Sequence, residues 1–225
     1  MRHRIAARPT HLPFAARNVL SAAIVSLCCL LSVTAQGSNY RRSTPAASQG
    51  TAQNPATTQS PAQKYFTDVV LVNQNGEKMR LYSDLLRDKV VIIDAFFATC
   101  QGSCLPMNRN LEKVQEALGD RVGKDVYIIS ISVDPIVDTP ANLKEYAKKL
   151  HARPGWYFLT GEKQNVDFAL RKLGEYVEDK QDHLNIFIIG NERTGLWKKA
   201  FGLAPSDELV KVVLSVLNDQ PPGDK

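Results

Sequence analysis

Cys100 and Cys104 stand with three residues between them in the string FFATCQGSCLPM and are the only cysteines in residues 64–225 of this 225-residue chain. A Cys-x-x-x-Cys pair can hold a soft metal ion, close into a disulfide or attack another disulfide, because side chains four apart on a helix share one face with Cβ atoms about 5–6 Å apart. Gly102 gives the intervening loop freedom for either geometry. A disulfide across so short a loop restrains the unfolded chain only modestly, so a purely structural staple is the weaker use. If Cys104 opens a helix, unpaired backbone N–H groups and the helix dipole favour its thiolate and predict a lowered pKa.

The elements around the pair follow from hydrophobic spacing. Asp68–Tyr82 reads as a hairpin turning at Asn75-Gly76. Val90–Phe97 is an almost unbroken apolar run, the mark of a strand covered on both faces. Met107, Leu111, Val114 and Leu118 then recur at helical spacing from Cys104 to Leu118, with Gly119 as the stop. The dithiol therefore sits where a buried strand passes into a helix, a position where ligands collect in open α/β sheets. Val126–Val133 is a second buried strand. Thr139 and Pro140 are suited to cap and begin a helix carrying Leu143, Tyr146, Ala147 and Leu150. Trp156–Leu159 (strand), Gln164–Leu173 (helix), Leu184–Ile189 (strand), a turn at Asn191–Gly195, and Leu196–Phe201 follow. Ser206 should cap a last helix bearing Leu209, Val213, Leu214 and Leu217. This order predicts an α/β domain with a mixed central sheet, helices on both faces and an N-terminal hairpin, and it suits a thioredoxin-like fold.

In such a sheet the loop entering Leu184–Ile189 lies beside the cysteine loop, which brings His183 to the dithiol as a third donor. Of the other histidines, His3 and His11 fall near the chain start, and His151 sits beside Arg153 and Pro154 in a loop expected to be solvated. Two thiolates and an imidazole suit copper: thiolates select Cu(I), and an imidazole also serves Cu(II). Structural zinc wants four protein ligands, and the domain offers no third cysteine. Met107 is a soft candidate one turn beyond Cys104, but its place on the apolar stripe assigns it to the core. Asp182 either orients the His183 ring from behind or stands in solvent.

Residues 1–35 pair a basic, acid-free start with an apolar stretch from Val19 to Val33 and small residues at Val33-Thr34-Ala35, the physics of an export leader or a retained membrane anchor. Cys28 and Cys29 are apolar filler within it. Residues 36–63, rich in Gln, Ser, Thr, Ala and Pro, read as a disordered linker, and residues 220–225 as a tail. The domain, residues 64–219, is then delivered to the periplasm or the outer face of the membrane, touching the membrane only through residues 19–35. The net charge of +5 comes from six arginines before residue 64; from there on, 22 bases face 23 acids, so a nucleic-acid footprint is not expected.

With DKVVIIDAFFATCQGSCLPM, SVDPIVDTPANLKEYA and DHLNIFIIGNERTG in this order between Tyr65 and Leu217, the sequence resembles the SCO/SenC family of copper-delivery proteins. The resemblance implies a thioredoxin-like fold, a copper site on Cys100, Cys104 and His183, and a role in building the binuclear copper centre of cytochrome c oxidase. The partner would be the oxidase's copper-site subunit. Leu105 stands where members often have proline directly after the second cysteine, with Pro106 following, which alters how the loop enters the helix. Asp134, Pro135, Asp138, Thr139 and Pro140 match the middle piece, and a turn with a helix cap is sufficient work for them. The leading expectation is a metallochaperone, which needs no turnover of a substrate. The alternative is an exported thiol-disulfide oxidoreductase that reduces target cysteines with Cys100 and Cys104 as its redox pair; the usual redox motif has two intervening residues, not three.

Overall fold

The hairpin forms as expected: β1 (Val70–Asn73) pairs antiparallel with β2 (Lys78–Arg80), and Gly76 supplies the turn at φ +82°. This computed structural model describes residues 59–221. The apolar stretch from Val19 to Val33 lies outside the described residues, as do most of the linker and the end of the tail. Helix α1 (Pro61–Phe66) begins inside the stretch read as linker; Ser60 caps it by accepting the Gln63 N–H, and Pro61 starts it. Among the described residues no helix is long and apolar enough to cross a membrane.

After β2 a π-helical turn (Leu81–Leu86), invisible to 3.6-residue periodicity, buries Leu81, Tyr82, Leu85 and Leu86. It leads to β3 (Val90–Phe96), whose seven residues are all buried. Then come α2 (Cys104–Leu118), β4 (Val126–Ser132), α3 (Pro140–Lys149), β5 (Trp156–Thr160), α4 (Lys163–Leu173), β6 (Ile186–Asn191), β7 (Leu196–Phe201) and α5 (Ser206–Leu217). Thr139 caps α3 as predicted. Ser206 does not cap α5: Pro205 holds the cap position and Ser206 is already helical.

The sheet order is β2-β1-β5-β4-β3-β6-β7, with β3, β4 and β5 parallel and the outer strands antiparallel. Alternate residues of each strand feed two cores. Ile92 and Phe96 pack with Met107 and Leu111 of α2, Leu143 of α3 and Val213 of α5 on one face. Ile93 and Ala95 pack with Val166 and Leu170 of α4 and the π-helical turn on the other. Burying each such Leu or Ile side chain contributes about 1.5–3 kcal/mol, which fixes β3 and therefore the starting point of the cysteine loop.

Candidate metal centre

Cys100 lies in the short loop between β3 and α2, and Cys104 is the first residue of α2. The loop is folded tightly: the Cys100 N–H donates to Phe97 O at 3.2 Å, and the Gly102 N–H donates to Cys100 Sγ at 3.4 Å. His183 arrives from the segment between α4 and β6. The strand there starts at Ile186 rather than Leu184, and a 3-10 turn (Lys180–Asp182), capped by Asp179, delivers the imidazole. Cys104 Sγ and His183 Nε2 are 3.1 Å apart, and one donor atom from each of Cys100, Cys104 and His183 lies within 4.8 Å of the others. The three donors picked from the sequence thus converge. Both cysteines are free thiols.

Burial governs their chemistry. Cys104 is 1% exposed and His183 8%, whereas Cys100 is half-buried. Burial pushes the Cys104 thiol well above its ordinary range, and the neighbouring Cys100 sulfur, by taking part in a hydrogen bond with it, pushes the same way. The lowered pKa anticipated from the helix N-terminus is therefore overturned in the metal-free protein: desolvation of a thiolate outweighs the helix dipole. Burial also lowers the His183 pKa, leaving the neutral imidazole that coordinates metals. A soft cation compensates both effects at once, because it stabilises thiolate and uses the imidazole lone pair.

Two connections hold the loops together, and neither was read from the sequence. Asp138, 1% exposed, accepts the Ala98 N–H at 3.0 Å and the Ser132 Oγ–H at 2.6 Å, fastening the start of the cysteine loop to the segment after β4. Ser103 Oγ hydrogen-bonds Asn185 Oδ1, and the Gly202 N–H donates to Asn185 O at 2.8 Å, so Asn185 links the cysteine loop, the histidine segment and the end of β7. Phe97 meets the His183 ring edge-to-face at 5.7 Å, and Lys180, paired with Asp134 at 2.6 Å, lies over the Phe97 ring at 5.1 Å from its centroid.

Asp182 does not hold the imidazole: it is exposed, and His183 Nδ1 has no hydrogen-bond partner. Met107 is buried core whose side chain packs against Gly202, and His151 lies outside the site, with Nδ1 2.5 Å from Glu112 Oε1. Deeper in the sheet, β3 also carries Asp94, 1% exposed among apolar neighbours. Its burial pushes the carboxyl up to about 7. An acid inside the run VVIIDAFF was the available sequence signal.

A family model described as SCO1/SenC matches residues 57–208. The SCO1 protein homolog of Bacillus subtilis (strain 168) is 32% identical over 153 residues, 64% of this chain and 78% of that protein. Among solved structures, BsSco, a member of the Sco family of cytochrome c oxidase assembly proteins with an identified disulfide switch, is 29% identical at a TM-score of 0.55, covering 67% of this chain and 92% of that one. Yeast Sco1 with copper bound matches at a TM-score of 0.58 and 22% identity over 69% of this chain and 94% of that one, a likeness of fold. The architecture is the thioredoxin-like fold that these structures share.

Proposed function

The chain belongs to the SCO1/SenC family, and on that footing we propose that its domain is a copper metallochaperone that carries one ion on Cys100, Cys104 and His183 and passes it to the copper-site subunit of cytochrome c oxidase. The observation that carries this reading is the convergence of two sulfurs and one imidazole nitrogen within 4.8 Å of one another. Three ligands from two separate segments leave a soft ion bound yet open to an incoming donor, as cargo requires. The half-buried Cys100 is the ligand most accessible to exchange, while Cys104 and His183 form the enclosed wall. BsSco supports the oxidase as destination and yeast Sco1 supports copper as cargo. We place the domain outside the cytoplasm, behind the leader or anchor expected in residues 1–35.

A second reading, reduction of target cysteines, draws on the two free thiols. Cys100 would attack a target disulfide and Cys104 would resolve the mixed disulfide. Titrating the reduced chain and His183→Ala with Cu(I) and Cu(II), and assaying both for disulfide reduction, separates the two. The chaperone reading expects tight copper binding that the variant loses while any reductase activity remains. No copper binding by the parent chain would defeat it.

A further inference from the structure

Helices α1 and α4 and strand β7 together build a face to which none of the three donors Cys100, Cys104 and His183 belongs. Tyr65 and Phe66 of α1 meet edge-to-face at 5.0 Å, and the Phe66 ring lies 5.8 Å from that of Trp197 on β7. The indole has its room because Gly190 of β6 carries no side chain: a Cβ there would strike the Trp197 ring. Lys172, in the last turn of α4, holds its ammonium 4.6 Å from the centre of the Tyr65 ring and 5.4 Å from that of Phe168. Tyr65 is 52% exposed and Phe168 36%, so the row of aromatic rings ends in solvent. Beside it opens a cavity of about 290 Å³ walled by Phe66, Leu173, Ile188 and Trp197, with Lys172 and Lys199 also lining it.

The charges and the aromatic rings point to one kind of occupant. The neighbouring acids are already engaged: Glu175 is buried against Lys199 at 3.6 Å, Asp167 pairs with Lys163 at 2.6 Å, and Asp68 accepts the Ser83 hydroxyl at 2.7 Å. Lys64 and Lys172 therefore remain to meet an anion from outside. Lysine is depleted at the cores of protein–protein interfaces, whereas tyrosine and tryptophan interleaved with lysine suit the headgroup layer of a bilayer, where the rings sit at the boundary and the ammonium groups reach phosphates. The apolar cavity with lysines along it has the matching chemistry, room for a stretch of acyl chain below an anionic headgroup. The sequence brings such a surface within reach: the apolar stretch Val19–Val33, expected as a leader or anchor, is joined to the start of α1 at Pro61 by the 27 residues 34–60.

We propose that this face docks on an anionic phospholipid bilayer, with Lys64, Lys172 and Lys199 meeting headgroup phosphates and Tyr65, Phe168 and Trp197 seated at headgroup level. The contact is a second one, added to that expected through residues 19–35, and it is independent of the cargo reading. It turns a domain that is merely delivered to a membrane into one that presents a fixed side to it.

Tryptophan fluorescence of the full chain tests this, because Trp156 is 1% exposed in the core while Trp197 lies on the proposed face. The chain is mixed with vesicles of brominated phosphatidylcholine, with and without phosphatidylglycerol. Bromine should quench Trp197 strongly in the anionic vesicles and weakly in the neutral ones, and Trp197→Phe should abolish the difference. Lys64→Gln combined with Lys172→Gln keeps the apolar stretch of residues 19–33 and should lower the ratio of docked to undocked domain by about fivefold for each lysine removed. Tyr65→Ser combined with Phe168→Ser, both at exposed positions, should lower it as well, with the far-ultraviolet circular dichroism spectrum unchanged. Copper titration of the lysine variant should match the parent, which keeps this contact apart from the cargo reading. Absence of Trp197 quenching in the anionic vesicles, or quenching that is equal in neutral and anionic vesicles and unchanged in the lysine variant, overturns the proposal. A Trp197 emission shift that follows protein concentration without lipid, and no quenching by the anionic vesicles, assigns the face to a second copy of the chain and overturns it too.

Discussion

The Asp138 carboxylate and the Ala98 backbone N–H, 3.0 Å apart, join the segment after β4 to the start of the cysteine loop. The same oxygen takes the Ser132 hydroxyl, so one buried acid serves two donors. Removing it in Asp138→Ala strands both, at a cost of about 1–3 kcal/mol. Chemical denaturation should show that loss, and competition titration should show copper binding weakened by about tenfold. Asp138→Asn retains an acceptor and should lose less on both counts.

Ser103 and Asn185 are the corresponding tie between the cysteine loop and the histidine segment. Ser103→Ala deletes a single hydrogen bond with a net value of about 0.5–1.5 kcal/mol. Copper affinity should fall by a factor of about 2–10, with the far-ultraviolet circular dichroism spectrum unchanged.

The two thiols should differ in reactivity. Cys104 is 1% exposed with its thiol pushed up, while Cys100 is half-buried. At neutral pH, iodoacetamide should modify Cys100 faster by about a factor of ten or more, as read by peptide mass spectrometry over time. Equal rates would show that the Cys104 sulfur is far more accessible than its position at the start of α2 indicates.

Much of this arrangement was legible from the residues because strong local patterns agree with the final packing. VVIIDAFF and VYIISISV are nearly continuous apolar runs and became the central parallel strands; Met107, Leu111, Val114 and Leu118 became the buried face of α2. His183 was found through the topological place of its strand, not through the residue itself. Periodicity carries no depth, and that explains the main reversal: the dipole argument placed Cys104 at a helix start correctly but missed that its sulfur is almost wholly desolvated. Asp138 looked like a turn residue because its partner, Ala98, is 40 positions away. Asp182 was adjacent to His183 in sequence, yet the 3-10 turn leaves it in solvent.

Asp94 gives stability a pH dependence with a definite sign. Its carboxyl is raised from 3.8 to about 7 in the folded protein, so folding favours the protonated acid. No cost exists while both states are protonated at low pH; the cost grows as pH rises through the unfolded value and levels off above the folded one. Asp94→Asn removes this dependence. Between about pH 4 and pH 8 the unfolding free energy of the variant relative to the parent should therefore swing in favour of the variant, by up to about 4 kcal/mol. Urea unfolding of both proteins across that range measures it, and a constant difference would show that Asp94 titrates as an ordinary acid.

X-ray absorption on the copper-loaded chain addresses the ligand set itself. The account predicts a shell of two sulfurs and one imidazole nitrogen in the parent, with the nitrogen scattering lost in His183→Ala and both sulfurs retained. A parent spectrum without sulfur neighbours, or an imidazole signal that survives in His183→Ala, would contradict it.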